Sequence, residues 1–340
     1  MMQEKIDRAL DLMLNDYKPG AKSRHWQRFF TTETITFLRD KTKLASFRRN
    51  SLNDDLEDRA SWFSTAAAYR RLAAITGSDW IGAFAETSVG NPRTRRVDGL
   101  AINFHEIVLC QYLHTIQNFT SDPSIIVEIG GGYGGLAHKL KRLFRQSHYV
   151  SLDLPEALTL QAYYLSQLNP AARFYLFDDF VAGKPIEPER YDFTLLPGWL
   201  ASNLPDDFAD LFINTRSFME MNADVIEDYF LQIGRCLKTG GMFYNVNRYF
   251  KDTVGAPIRF REYPYDDRWA LLLSRGSLFQ PHVHEMMTVR TVLPLTEFTT
   301  SLRSLPEKIQ MHAPTSKYSV FEKISLLQLA IKTARRQARA

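Results

Sequence analysis

Apolar positions recur at helical spacing through the first third of the chain and cluster into short strand-like runs through the middle. Ile6, Leu10, Met13, Leu14 and Tyr17 share one helical face before Lys18-Pro19-Gly20 breaks the pattern. Further helices are predicted over 62–75 and 102–116. In the second of these, Ile107, Leu109, Cys110, Leu113 and His114 crowd one side. The intervening TSVGNPRTRRVDG reads as a loop by its Gly, Asn and Pro content. From residue 121 the period shortens. Strands are predicted at 125–129, 148–154, 210–214 and 242–246. A helix carrying Val225, Tyr229, Phe230, Ile233 and Leu237 precedes a Lys238-Thr239-Gly240-Gly241 turn. One further strand has two candidates, RFYLFDD at 173–179 and FTLLPGW at 193–199. The second is favoured as the edge of a ligand site, with the first inserted. Two more strands, WALLLSRG and VHEMMTVRTV, are joined by SLFQPH, and 316–340 reads as an amphipathic helix with a basic end.

The most informative stretch is IIVEIGGGYGGLA at 125–137. A buried strand runs into Glu128 and then into glycines at 130, 131, 132, 134 and 135, with a helix directly after. Such a turn brings backbone N–H groups close to a ligand. Gly130, Gly132 and Gly135 fit G-x-G-x-x-G, a dinucleotide pattern. Glu128, Gly130, Gly132 and Gly134 fit the more restrictive acidic-x-G-x-G-x-G. A pyrophosphate gains nothing from a carboxylate there. S-adenosylmethionine (SAM), which carries an ammonium and a sulfonium, does, either directly or because the acid holds the loop. A tight turn without a ligand is the plain alternative. Asp153, at the end of HYVSLDL, is placed for ribose hydroxyls. It also precedes a helix with Glu156 three residues on, the pattern of a capping box.

Composition adds bounds. A chain of 340 residues is long for one α/β domain and suggests a core with appended elements: 1–120 helical, serving as lid, substrate-binding or oligomerisation region, 121–295 the nucleoside-binding domain, and 296–340 a C-terminal helical segment. The formal charge of +4 is small and its positive residues are scattered, which argues against a nucleic-acid partner. No apolar run approaches a membrane span, and MMQEKIDRALDL does not read as a signal peptide. Cys110 and Cys236 fall in apolar helical patterns, as buried thiols of a reducing, cytoplasmic compartment would.

With these pieces placed, the chain resembles the class I SAM-dependent methyltransferases and, more narrowly, a bacterial family of sugar O-methyltransferases. The residues that carry the resemblance are VEIGGGYGGLA at 127–137, SLDLPEALTLQAYYL at 151–165, LFINTRSFMEMN at 211–222 and FYNVNRY at 243–249. VGNP at 89–92, YPYDDRW at 263–269 and HVHE at 282–285 are more weakly similar. The resemblance implies a Rossmann-like α/β fold with a seven-stranded, mostly parallel sheet ending in an antiparallel pair. It implies that Glu128, Gly130, Gly131, Gly132, Tyr133 and Gly134 line the methionine end of SAM, with Asp153 and Leu154 at the ribose and Asn214 beyond. Related enzymes place an acid after the third strand for the adenine amino group. Here Trp199 stands near that place, with Asp178 or Asp179 as substitutes under the other strand choice.

Methyl transfer to a hydroxyl requires an in-line acceptor and a base within hydrogen-bond reach. Glu220, just past the fourth strand, is one candidate; an exposed acid in the first turn of the next helix is its alternative. His282 and His284 are the others, expected in one strand, with at most one of them reaching the site. H-x-H-E has no metal-ligand spacing, so no metal is expected. Asn222 and Arg248, with Tyr265, Asp267 and Trp269, are candidates for a saccharide or glycosylated acceptor. The bland reading of the last three is a turn before a core Trp. A phenolic, polyketide or amine acceptor is the enzymatic alternative. A non-catalytic binding protein of the same fold is the other, and homo-oligomerisation stays open.

Overall fold

A computed structural model describes residues 2–17, 23, 26–27, 30–49, 61–252 and 256–306. The helix expected over 316–340 lies outside the described residues. Eight strands form the central sheet, numbered in chain order: β1 (Ile125–Ile129), β2 (His148–Asp153), β3 (Phe174–Tyr175), β4 (Phe193–Pro197), β5 (Ala209–Thr215), β6 (Leu237–Arg248), β7 (Trp269–Gly276) and β8 (Val283–Arg290). Their order across the sheet is β7-β8-β6-β5-β1-β2-β4-β3. The neighbours from β3 to β6 pair in parallel, whereas β8 runs antiparallel to both β6 and β7. The order reverses between β5 and β1, which opens a crevice at the carboxyl ends of these strands.

The sheet thus has eight strands rather than seven. The extra one is β3, the inserted candidate, hydrogen-bonded outside β4. FTLLP lies next to β2, where it was favoured. In β6 the register jumps from Ala209↔Leu237 to Leu211↔Met242, so Lys238–Gly241 loops out of the strand, with Gly240 at φ +81°. Part of the expected 87–99 loop is a small hairpin, Arg95–Val97 with Leu100–Ile102. Its two-residue Asp98-Gly99 turn has positive φ at both positions, the geometry that Asp-Gly tolerates.

Six helices frame the site: α1 (Met2–Asn15), α2 (Trp62–Thr76), α3 (Phe104–Gln117), α4 (Gly135–Leu143), α5 (Pro155–Leu168) and α6 (Ala223–Cys236). Alternation along β6 divides the layers. Phe243 packs 5.8 Å from Phe230 of α6, while Tyr244 packs 6.1 Å from Tyr112 of α3. Alternate strand side chains leave opposite faces, so α6 and α3 cover opposite sides of the sheet. Cys110 and Cys236 are buried free thiols; burial pushes the first up to about 12 and the second to about 11. Among the described residues no helix is long and apolar enough to cross a membrane.

Candidate functional site

The glycine turn leaves β1 and enters α4. Gly130, Gly132 and Gly134 all have positive φ, +74°, +60° and +91°, where side chains are strained. Their surroundings differ. A Cβ on Gly130 would collide with the Ser217 hydroxyl, whereas a Cβ on Gly132 would meet no heavy atom within 4 Å. The second position faces open space at the carboxyl edge.

Glu128 is buried under this turn. Its Oε2 accepts a hydrogen bond from the Tyr149 hydroxyl and lies 2.7 Å from where a Gly131 Cβ would stand. Burial pushes its carboxyl up to about 7, against the Tyr149 hydrogen bond and together with the charge of Asp153. Of the two roles the sequence allows this acid, the placement beneath Gly131 is the loop-holding one. Gln161 of α5 sits beside it, with both amide atoms buried and without a hydrogen-bond partner. Its position in an apolar helix hides this from sequence reasoning.

Asp153 ends β2. Its Oδ2 accepts from the Gly132 N–H at 3.0 Å and its Oδ1 from the Leu154 N–H at 2.7 Å. It therefore clamps the glycine turn. It is not a helix cap: the N-cap of α5 is Leu154, which has no side-chain capping bond, so the capping-box reading fails. Burial raises Asp153 to about 7, opposed by the two N–H groups and reinforced by Glu156 and Glu220. Asp153→Ala removes both the clamp and any ribose contact. SAM affinity is expected to fall about tenfold to a hundredfold, matching a charge-assisted hydrogen bond of roughly 1.5–3 kcal/mol. Calorimetric titration checks this, and an unchanged affinity would remove Asp153 from the site.

Trp199 lies in the 3-10 turn Gly198–Asn203 that follows β4. Its indole N–H donates to Asp16 at 3.2 Å, and its ring meets Tyr17 edge-on at 5.9 Å. A Cβ on Gly198 would collide with the Tyr229 hydroxyl of α6. Asp178 and Asp179 follow β3, one strand further out, and are paired with Arg8 and with Lys5 and Lys184. Asn214 is fully buried. Its amide donates to the Ile129 carbonyl at 2.9 Å and accepts from Asn247 at 2.8 Å, so it ties β1, β5 and β6 together.

Glu220 is not in the first turn of α6. It ends a separate 3-10 turn, Phe218–Glu220, and pairs with Lys251 at 2.8 Å. Its charge acts on Asp153 on one side and on Arg248 on the other. Asn222 is the N-cap of α6, without a side-chain cap bond. His282 precedes β8, and its carbonyl accepts from the Tyr249 N–H at 3.1 Å. The expectation that His282 and His284 share a strand fails, because β8 begins at Val283. His284 is buried in the core against Phe260, its ring nitrogens 3.0 Å from the Ser274 and Tyr249 hydroxyls. A ring so engaged cannot turn to an acceptor. Tyr265 and Trp269 are core residues as well. Their faces are taken by Phe230, Phe243 and Phe298, and the Tyr265 hydroxyl accepts from Asn245. Asp267 is exposed beside them, so this cluster forms no sugar platform.

His105, at the start of α3, was missed. Its ring stands 5.7 Å from Tyr133 of the glycine turn, with Nδ1 buried and without a partner. Burial pushes it down to about 3, aided by Arg48, Lys139 and Arg216 and opposed by Glu106, so the ring is neutral. The His-Glu pair at 105–106 carried no spacing signal that would have marked it.

No protein-family model matches the chain, and no curated protein matches it in sequence. The narrower likeness to a sugar-modifying family therefore has no counterpart there. The fold is similar to that of solved structures. TehB from Haemophilus influenzae aligns with TM-score 0.39 and 14% identity over 53% of this chain and 62% of that one. The mitomycin 7-O-methyltransferase MmcR aligns with TM-score 0.38 and 16% identity over 55% and 57%. A SAM-dependent methyltransferase from Aquifex aeolicus aligns with TM-score 0.36 and 11% identity over 52% and 88%. This chain thus spans about three-fifths of the first two proteins. These likenesses extend over about half of this chain, and the site's chemistry rests on its own geometry.

Proposed function

We propose that this protein is a SAM-dependent O-methyltransferase whose acceptor is a hydroxyl of a sugar or sugar-containing metabolite. The observation that carries the reading is the tie between Asp153 and Gly132. An acid at the end of β2 holds a glycine turn whose outer face is open, at the crevice where the strand order reverses. The space at Gly132 that a side chain would fill fits the methionine end of SAM. The carboxyls of Glu128 and Asp153 suit a cationic ligand. SAM, when bound, supplies an electrophilic methyl group. The chain's own residues hold the turn, align the acceptor and take its proton.

Titration with SAM and with NAD decides the cofactor: binding of SAM at micromolar level and none of NAD is expected, and the reverse would overturn the proposal. The pH dependence has a worked sign. Both carboxyls are raised to about 7. A cation favours their ionised forms, so protons must leave on binding at lower pH. Affinity should therefore rise from pH 5.5 to 7, by up to about tenfold per unit for each group that ionises. Without ligand the sign is opposite. The folded state keeps protons that the unfolded chain releases, so stability falls as pH climbs from about 4 to 7. An affinity flat over this range would separate the carboxylates from the ligand's charge.

Glu220 is assigned as the base, because it ends the 3-10 turn that follows β5 at the carboxyl edge of the sheet. Glu220→Gln should cut turnover by roughly two to four orders of magnitude and leave SAM affinity within threefold. His282→Ala and His105→Ala, measured alongside, should cost less. A larger loss in either would move the assignment to that ring.

A further inference from the structure

The carboxyl ends of β5 and β6, beside the start of β8, carry two arginines that have no role in the proposed cofactor site. Arg216 follows β5 at φ +67°, its N–H donating to the Val246 carbonyl at 2.7 Å. Its guanidinium donates to Gln280, in the turn between β7 and β8. Arg248 ends β6, opposite Val283, with Nε buried and without a hydrogen-bond partner. Among the described residues neither arginine forms an ion pair with a carboxylate. The nearest acid acting on Arg248 is Glu220, and that is already paired with the third cation, Lys251.

On α3 the buried Tyr112 hydroxyl lies close to the Arg216 guanidinium, whose charge acts on it. Arg216 also acts on His105, two helical turns earlier on α3. Burial, and then the like charge of Arg216, pull Arg248 down to about 10, with Glu220 opposing. Two partly desolvated guanidiniums facing one crevice disfavour each other unless an anion lies between them. Their planar forks match carboxylate or phosphate oxygens, which sugar hydroxyls match less well.

We infer that the acceptor carries an anionic group, a carboxylate or a phosphate, held by Arg216 and Arg248. This rests on the proposed function for the word acceptor. The anion site itself does not depend on it. Gln280 fixes the Arg216 guanidinium from behind, and Lys251 keeps Glu220 in place beside the bound group.

Calorimetry on the full chain, with and without S-adenosylhomocysteine, tests this with glucuronate, glucose 1-phosphate, inorganic phosphate and glucose as probes. At least one anionic sugar is expected to bind ten times more tightly than glucose. Arg216→Met and Arg248→Met should each weaken it tenfold or more, with S-adenosylhomocysteine affinity within threefold of the unaltered protein. Arg248→Lys, which keeps the charge, should lose less than Arg248→Met. Preference for glucuronate names a carboxylate, and preference for glucose 1-phosphate names a phosphate. Binding of glucose as tight as either anion, no binding of any anion, or anion affinity that survives both methionine substitutions overturns the inference. Loss of S-adenosylhomocysteine binding in the unaltered protein would count against the cofactor alone.

Discussion

Gly132→Val is expected to give a folded protein that has lost SAM. The backbone at Gly132 lies at φ +60° and is held by one hydrogen bond, from its N–H to Asp153. A β-branched residue there costs about 1–3 kcal/mol of backbone strain. The added Cβ itself meets nothing within 4 Å. The fold therefore survives with a lower melting temperature, while the two methyl groups occupy the space assigned to the ligand. SAM affinity should drop more than a hundredfold. Gly130 is the control with the opposite balance: its Cβ would collide with Ser217, so Gly130→Ala should damage the turn itself. Thermal melts followed by circular dichroism, together with calorimetric titration, separate the two. A Gly132→Val protein that binds SAM within threefold of the unaltered chain would show that this space is not the ligand's.

The glycine turn was legible because its backbone demands are written locally. Glu128, the three positive-φ glycines and Asp153 lie within 26 consecutive positions, and each residue type answers a backbone demand. The strands were legible for the same reason, down to the choice of 193–197 over 173–179 for the position beside β2. Side chains whose roles depend on distant partners were not. Tyr265 and Trp269 carry the composition of a sugar platform, yet Phe230, Phe243 and Phe298 close over them. His284 was a candidate base until Tyr249, Ser274 and Phe260 enclosed its ring. His105 was passed over because Tyr133 and Arg216, which give it a place at the crevice, come 28 and 111 residues later in the chain.

Lys139→Met is expected to destabilise the fold by about 3–5 kcal/mol, the cost of breaking one side of a buried ion pair. Lys139 of α4 pairs with Glu106 of α3. Arg48 joins the same carboxylate at 3.0 Å and Glu86 at 3.2 Å, and Arg48, Glu106 and Lys139 have no exposed side-chain surface. The Tyr133 hydroxyl also donates to Glu106, at 3.3 Å, so the network reaches the glycine turn. Burial alone would raise Glu106, but Lys139 and Arg48 outweigh it and hold the carboxyl near 2. A carboxyl depressed in the folded state contributes its stability above its unfolded value, and loses it as pH falls towards the folded one. The unaltered protein should therefore lose this contribution between about pH 4.5 and 2, and Lys139→Met should begin acid unfolding at higher pH. Glu106→Gln combined with Lys139→Met removes both charges and should recover much of the loss. Urea melts of the two single variants and the double, at pH 7, measure the coupling directly. A coupling within about 0.5 kcal/mol of zero would mean that the two charges do not depend on each other. The Lys139 charge would then have no part in holding Glu106 against the turn.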